Sequence, residues 1–88
     1  MVVLLLLFSL NAHAYDVYID GIFYNLVPKA KVAEVTSGDL KYKGDVDIPS
    51  SFEKGGIMYS VTSIGYKAFY TCGGMTSVTI PNSVTFLY

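Results

Sequence analysis

Two carboxylates stand two positions apart in Asp45-Val46-Asp47-Ile48, the one pairing of acids in the chain with a spacing that chemistry could use. On an extended strand such residues project to the same side about 6.6 Å apart. Inverting glycosidases hold their acid and base at roughly 6.5–9.5 Å. That reaction also needs one carboxyl raised above the other by a pocket of low polarity. A flat strand with a wet face supplies none, so the pair is expected to be solvated and to discourage pairing at a sheet edge. Cys72 has no histidine to activate it, because His13 is the only histidine and falls in the leader expected over residues 1–14. Its apolar surroundings point to a buried structural thiol and not to a nucleophile. Asp39, Asp45, Asp47 and Glu53 are scattered without the spacing of a calcium loop. Gly55-Gly56 and Gly73-Gly74 lack the strand, lysine and hydroxyl context of a phosphate cradle. No catalytic residue, metal or cofactor is therefore expected, and the function class left standing is binding.

The elements that carry Asp45 and Asp47 repeat. The phrase Val46-Asp47-Ile48-Pro49-Ser50-Ser51 is restated further along as Val78-Thr79-Ile80-Pro81-Asn82-Ser83. At residue 84 the text of residue 61 begins again: Val84-Thr85-Phe86-Leu87 aligns with Val61-Thr62-Ser63-Ile64, a period of 23. The longer interval between the two phrases reduces to this period if Phe52 to Ser60 is a nine-residue insertion, with Lys54-Gly55-Gly56 as a hairpin tip. A fixed period in the twenties marks a solenoid, whose units cannot bury their own faces and must stack. Val and Ile two apart share one side of a strand, and Pro-Asn-Ser or Pro-Ser-Ser turns the corner because proline cannot continue a ladder. Tyr66 to Cys72 is predicted to form a short helical turn, with Ala68, Phe69 and Cys72 on one side.

Before the repeats, Tyr15 to Ile19 and Ile22 to Leu26 read as strands joined at Asp20-Gly21, a pair that tolerates the positive φ of a tight hairpin. Lys31 to Thr36 alternates apolar and polar residues as a third strand. These make an antiparallel meander. The start of the chain, 1–14, reads as a signal peptide: an apolar run from Val2 to Leu10, then Ala12-His13-Ala14 before the first strand. That run is half the roughly 20 residues a membrane span requires. The rest of the chain, from Tyr15 onward, carries all six lysines and all seven acids, well mixed, which argues against nucleic acid and against an anionic membrane. One cysteine cannot form an internal disulfide, so stability must come from burial or from neighbouring units.

The run from Val61 to Ser83, V-T-S-I-G-x-x-A-F-x-x-C-x-x-M-T-S-V-T-I-P-N-S, resembles the leucine-rich repeats of the BspA type. The resemblance implies a mainly β leucine-rich repeat solenoid with short helical turns, of one and a half to two coils. It implies a leader over residues 1–14, a β-meander cap over 15–44 and truncated repeats over 45–88. It also implies that Cys72 points into the core, and that the chain is a secreted or cell-surface recognition or adhesion module for an extracellular or host protein. A structural cap or spacer of a longer array is the alternative role. The outward residues of the stacked strands, Asp45, Asp47, Ser77 and Thr79, are the expected ligand-binding face. The mature chain is expected to stay out of the membrane and to self-associate through an open last coil.

Overall fold

Asp20 and Gly21 adopt φ of 49° and 86° and close a two-residue turn of the kind that matches strand twist. The turn joins β1 (Val17–Ile19) to β2 (Ile22–Val27), antiparallel with Val17 opposite Tyr24. A short loop then returns β2 to β3 (Val32–Thr36), placing Phe23 opposite Thr36 and Val27 opposite Val32. The meander is thus formed as expected. A computed structural model describes the protein over residues 15–87; the leader expected over residues 1–14 and Tyr88 lie outside the described residues.

The meander does not end at its third strand. The free edge of β3 pairs in parallel with β6 (Ile57–Ile64), Val35 facing Ile64, and the Gly65 N–H donates to the Val35 carbonyl at 2.8 Å. The meander therefore shares one six-stranded sheet with β5 (Ser51–Lys54), β6 and β8 (Phe86–Leu87), in the order β1-β2-β3-β6-β5 with β8 also on β6. Strand β5 (Ser51–Lys54) folds back on β6 through Gly55 and Gly56, whose φ of 61° and 82° make the expected hairpin tip. The hairpin docks through aromatic faces. Phe52 lies 4.3 Å from Tyr24 and 5.5 Å from Tyr59, centroid to centroid.

The repeat periods appear as hydrogen-bonded registers. Strand β4 (Gly44–Asp47) pairs in parallel with β7 (Met75–Thr79) as a second, two-stranded sheet, with Asp45 opposite Ser77, Val46 opposite Val78 and Asp47 opposite Thr79. The Ile48 N–H continues the ladder to the Thr79 carbonyl at 3.1 Å. The shorter period appears between β6 and β8, where Ser63 faces Phe86 and Ile64 faces Leu87. In each pair the earlier segment buries its apolar side chain more deeply than the later one. Ile48 is 3% exposed and its repeat partner Ile80 41%; Ile64 is 6% exposed and Leu87 67%.

One element departs from expectation. Tyr66 to Cys72 forms no helix; it is a chain of tight turns in which Ala68, Tyr70 and Cys72 donate to the carbonyls three positions back. Lys67 and Thr71 stand at φ of 62° and 57°, and a residue in the left-handed region ends any helical run. The turns still send Ala68 into the core, with Phe69 and Cys72 half-buried against it. Among the described residues no helix is long and apolar enough to cross a membrane.

The burial gradient sets a stability expectation. Ile48→Ala should cost about 2–5 kcal/mol, as buried Ile truncations do, whereas Ile80→Ala should cost under about 1 kcal/mol because its side chain is already wet. Urea unfolding of the two variants followed by circular dichroism makes the comparison; equal losses would contradict it.

Candidate ligand-binding face

Strand alternation divides β4 cleanly. Val46 and, just beyond the strand, Ile48 are buried, while Asp45 and Asp47 are exposed. On β7 the partners Ser77 and Thr79 are exposed too, and the register sets them directly opposite the two aspartates. The four residues expected to form a face are therefore brought together as two cross-strand pairs on one wet side of one ladder.

Asp45 is more than solvated. Thr76 Oγ1 and Ser77 Oγ each donate to its Oδ1 at 2.8 Å. Two neighbouring residues can both reach it because the register slips here: Gly44 faces Met75 and Asp45 faces Ser77, leaving Thr76 as an extra residue. Such a bulge re-aims a side chain. The same slip occurs between β3 and β6, where Ala33 faces Val61 and Glu34 faces Ser63, leaving Thr62 over. Each bulge falls on a Thr-Ser pair between apolar residues and sets an acid opposite the Ser. The doubled Thr-Ser in the sequence was the available signal for it, and strand periodicity alone passes over it.

The two hydroxyls hold the Asp45 carboxyl below the usual aspartate range, against a smaller opposing effect of desolvation. A general acid needs the opposite shift, so the geometry does not equip Asp45 to donate a proton near neutrality. Among the described residues no group of three or more His, Cys, Asp or Glu could hold a metal ion.

Tyr42 is a positioning residue that sequence reading overlooked. Its buried hydroxyl donates to the Thr36 carbonyl at 2.6 Å and accepts the Phe23 N–H at 3.0 Å. Its ring meets Phe23 at 5.9 Å and Phe69 at 5.1 Å, edge to face. One side chain therefore ties the loop leading into β4 to the meander and to the turns after β6. Across from it Gly38 packs so closely on Phe23 that a Cβ there would overlap the ring. Beside this junction lies a groove of about 620 Å³, running from the β1–β2 hairpin tip to β4 and lined in part by Tyr18, Asp20, Leu40, Asp45 and Asp47.

Replacing Thr76 by Val and Ser77 by Ala should raise the Asp45 carboxyl toward the ordinary value of about 3.9, measured by NMR titration of the carboxyl carbon. A carboxyl depressed in the fold contributes stability that is present above its unfolded value and lost as pH falls through the folded one. The wild-type contribution should thus vanish only below the usual aspartate range. Tyr42→Phe orphans the Phe23 N–H and should cost about 1–3 kcal/mol. Burial pushes the Tyr24 and Tyr42 phenols up to about 12. Groups raised in the fold favour it fully below the ordinary value near 10, so stability should fall as pH rises from there through about 12, and less steeply in Tyr42→Phe.

No family model and no curated protein matches the chain. A crystal structure of a leucine-rich repeat protein from Bacteroides ovatus ATCC 8483 is similar to it at 34% sequence identity and a TM-score of 0.75, over 83% of this chain. The chain spans 19% of the length of that protein. Taken with the parallel registers above, this likeness supports placing the chain among leucine-rich repeat proteins, as a mainly β, curled-sheet member.

Proposed function

We propose that this chain is a non-catalytic recognition or adhesion module of the BspA type, secreted or held at the cell surface, whose β4 and β7 are successive rungs of a solenoid. The observation that carries the reading is the parallel register of β4 on β7, which sets Asp45 and Asp47 opposite Ser77 and Thr79 on one exposed face while Val46 and Ile48 turn inward. Rows of outward residues on stacked strands are what solenoids offer to protein ligands. The ligand is an extracellular or host protein. Nucleic acid is a poor partner for a chain of net charge −1 with its charges mixed. Secretion rests on the apolar run and the Ala-x-Ala ending of residues 1–14.

A second role is favoured by a separate observation. Ile80, Phe86 and Leu87 are exposed large apolar side chains at the last rungs, a surface suited to receiving another unit. In that reading these coils are a cap or spacer for a longer array, and the isolated chain associates with itself through the same surface.

The test is capture of the purified chain on an array of extracellular proteins. The recognition reading expects specific capture that falls at least about tenfold when Asp45, Asp47, Ser77 and Thr79 are all changed to Ala, the loss expected of removing a contact face, with an unchanged circular dichroism spectrum. Undiminished capture by that variant contradicts the face. No capture by the wild type, together with concentration-dependent association that Leu87→Asp abolishes, supports the cap or spacer instead.

A further inference from the structure

The groove beside Tyr42 combines apolar and charged side chains. Its floor is apolar, formed by the buried Ile22, Phe23 and Val46. Its walls carry two large apolar side chains left in water, Tyr18 at 52% and Leu40 at 63% exposure. Three carboxylates line it: Asp20 at the hairpin tip, and Asp45 and Asp47 on β4. They come from segments separated by two whole strands of the chain, β2 and β3, and line one groove only in the fold. Two lysines also line the groove, so its three carboxylates leave it an excess of one negative charge. The Lys41 ammonium donates to the Tyr70 carbonyl at 3.4 Å, and the stem of Lys43 lies against Gly74. Asp45 is held ionised by Thr76 and Ser77. At about 620 Å³ the groove falls within the range of roughly 300–1,000 Å³ typical of ligand sites.

We propose that this groove binds a polypeptide segment in which a basic side chain, arginine or lysine, neighbours an apolar one. The cation sits among Asp20, Asp45 and Asp47, where like-signed charges on an apolar floor strengthen attraction for it. The exposed Tyr18 ring offers a π face to a guanidinium. The apolar neighbour covers Leu40 and the floor, removing the exposed patch from water. An anionic lipid or phosphate meets repulsion from the same three carboxylates. This inference deepens the recognition reading, with which it shares Asp45 and Asp47, and adds Tyr18, Asp20 and Leu40 from outside the ladder face.

The test is fluorescence anisotropy of the full chain with labelled peptides alternating leucine and arginine, leucine and glutamine, or leucine and glutamate. The arginine peptide should bind, more weakly as salt is raised, and the other two should bind at least about tenfold more weakly, as loss of the charge pairing requires. Asp20→Asn should weaken the arginine peptide severalfold without harming the turn, because Asn also tolerates positive φ. Leu40→Ser should weaken it similarly with its salt dependence kept. Equal binding of all three peptides, no binding, or indifference to both variants overturns the groove assignment. The ladder face has its own control: Thr79→Ala, which leaves the hydrogen bonds to Asp45 intact, should reduce capture of the whole protein ligand and leave peptide affinity unchanged. Absence of peptide binding with retained, Thr79-dependent protein capture therefore rejects the groove alone, and the reverse pattern rejects the face alone.

Discussion

A strand paired in parallel with the next copy of itself cannot close that ladder within its own unit, and everything else in this protein answers to that constraint. An antiparallel hairpin satisfies itself through a two-residue turn, whereas a parallel pair needs an intervening connection. Here the connections are the inserted β5–β6 hairpin, the turns from Gly65 to Gly74 and the proline corners. They return the chain to the same sheet each time the phrase recurs, and the register follows the spelling of the sequence. Val61 and Val35 have neighbours on both sides and are fully buried, while Ile80 and Leu87, on the later copies of the two phrases, are exposed.

The meander matters for the same reason. It supplies β6, the earlier strand of the β6–β8 ladder, with a parallel neighbour through β3. Tyr42 then fixes the loop that carries the chain from the large sheet to β4, with both of its hydrogen bonds made to buried backbone. Tyr42 itself lines the groove, between the hairpin tip that carries Asp20 and the strand that carries Asp45 and Asp47. Packing, not chemistry at any single residue, makes the candidate site.

Much of this was legible in the sequence. The hairpin turns at Asp20-Gly21 and Gly55-Gly56 were readable because positive φ selects these residues, and β4 and β7 because Val-x-Ile-Pro is written twice. The outward placement of Asp45, Asp47, Ser77 and Thr79 followed from strand alternation once the period was known. Other features were hidden for physical reasons. The pairing of β3 with β6 joins segments with no shared wording, since any apolar edge of suitable length can accept a parallel neighbour. The turns at 66–72 mimic a helix in their spacing of Ala68, Phe69 and Cys72, and only the left-handed Lys67 and Thr71 break it. Neither residue type announces that conformation. The groove escaped because its walls meet only in the fold, and Thr76 because a bulge moves it off the strand's two-fold pattern.

The central claim is that each repeated phrase pairs in parallel with its own earlier copy, β7 on β4 and β8 on β6. NMR of the isotopically labelled chain tests it through contacts between backbone amide and α protons. The account predicts cross-strand contacts of the parallel kind linking Asp47 to the Thr79–Ile80 segment and Ser63 to Phe86–Leu87, present together in a single species. Close α-to-α contacts of the antiparallel kind between these strands, or no contact between them while the meander remains folded, would contradict it.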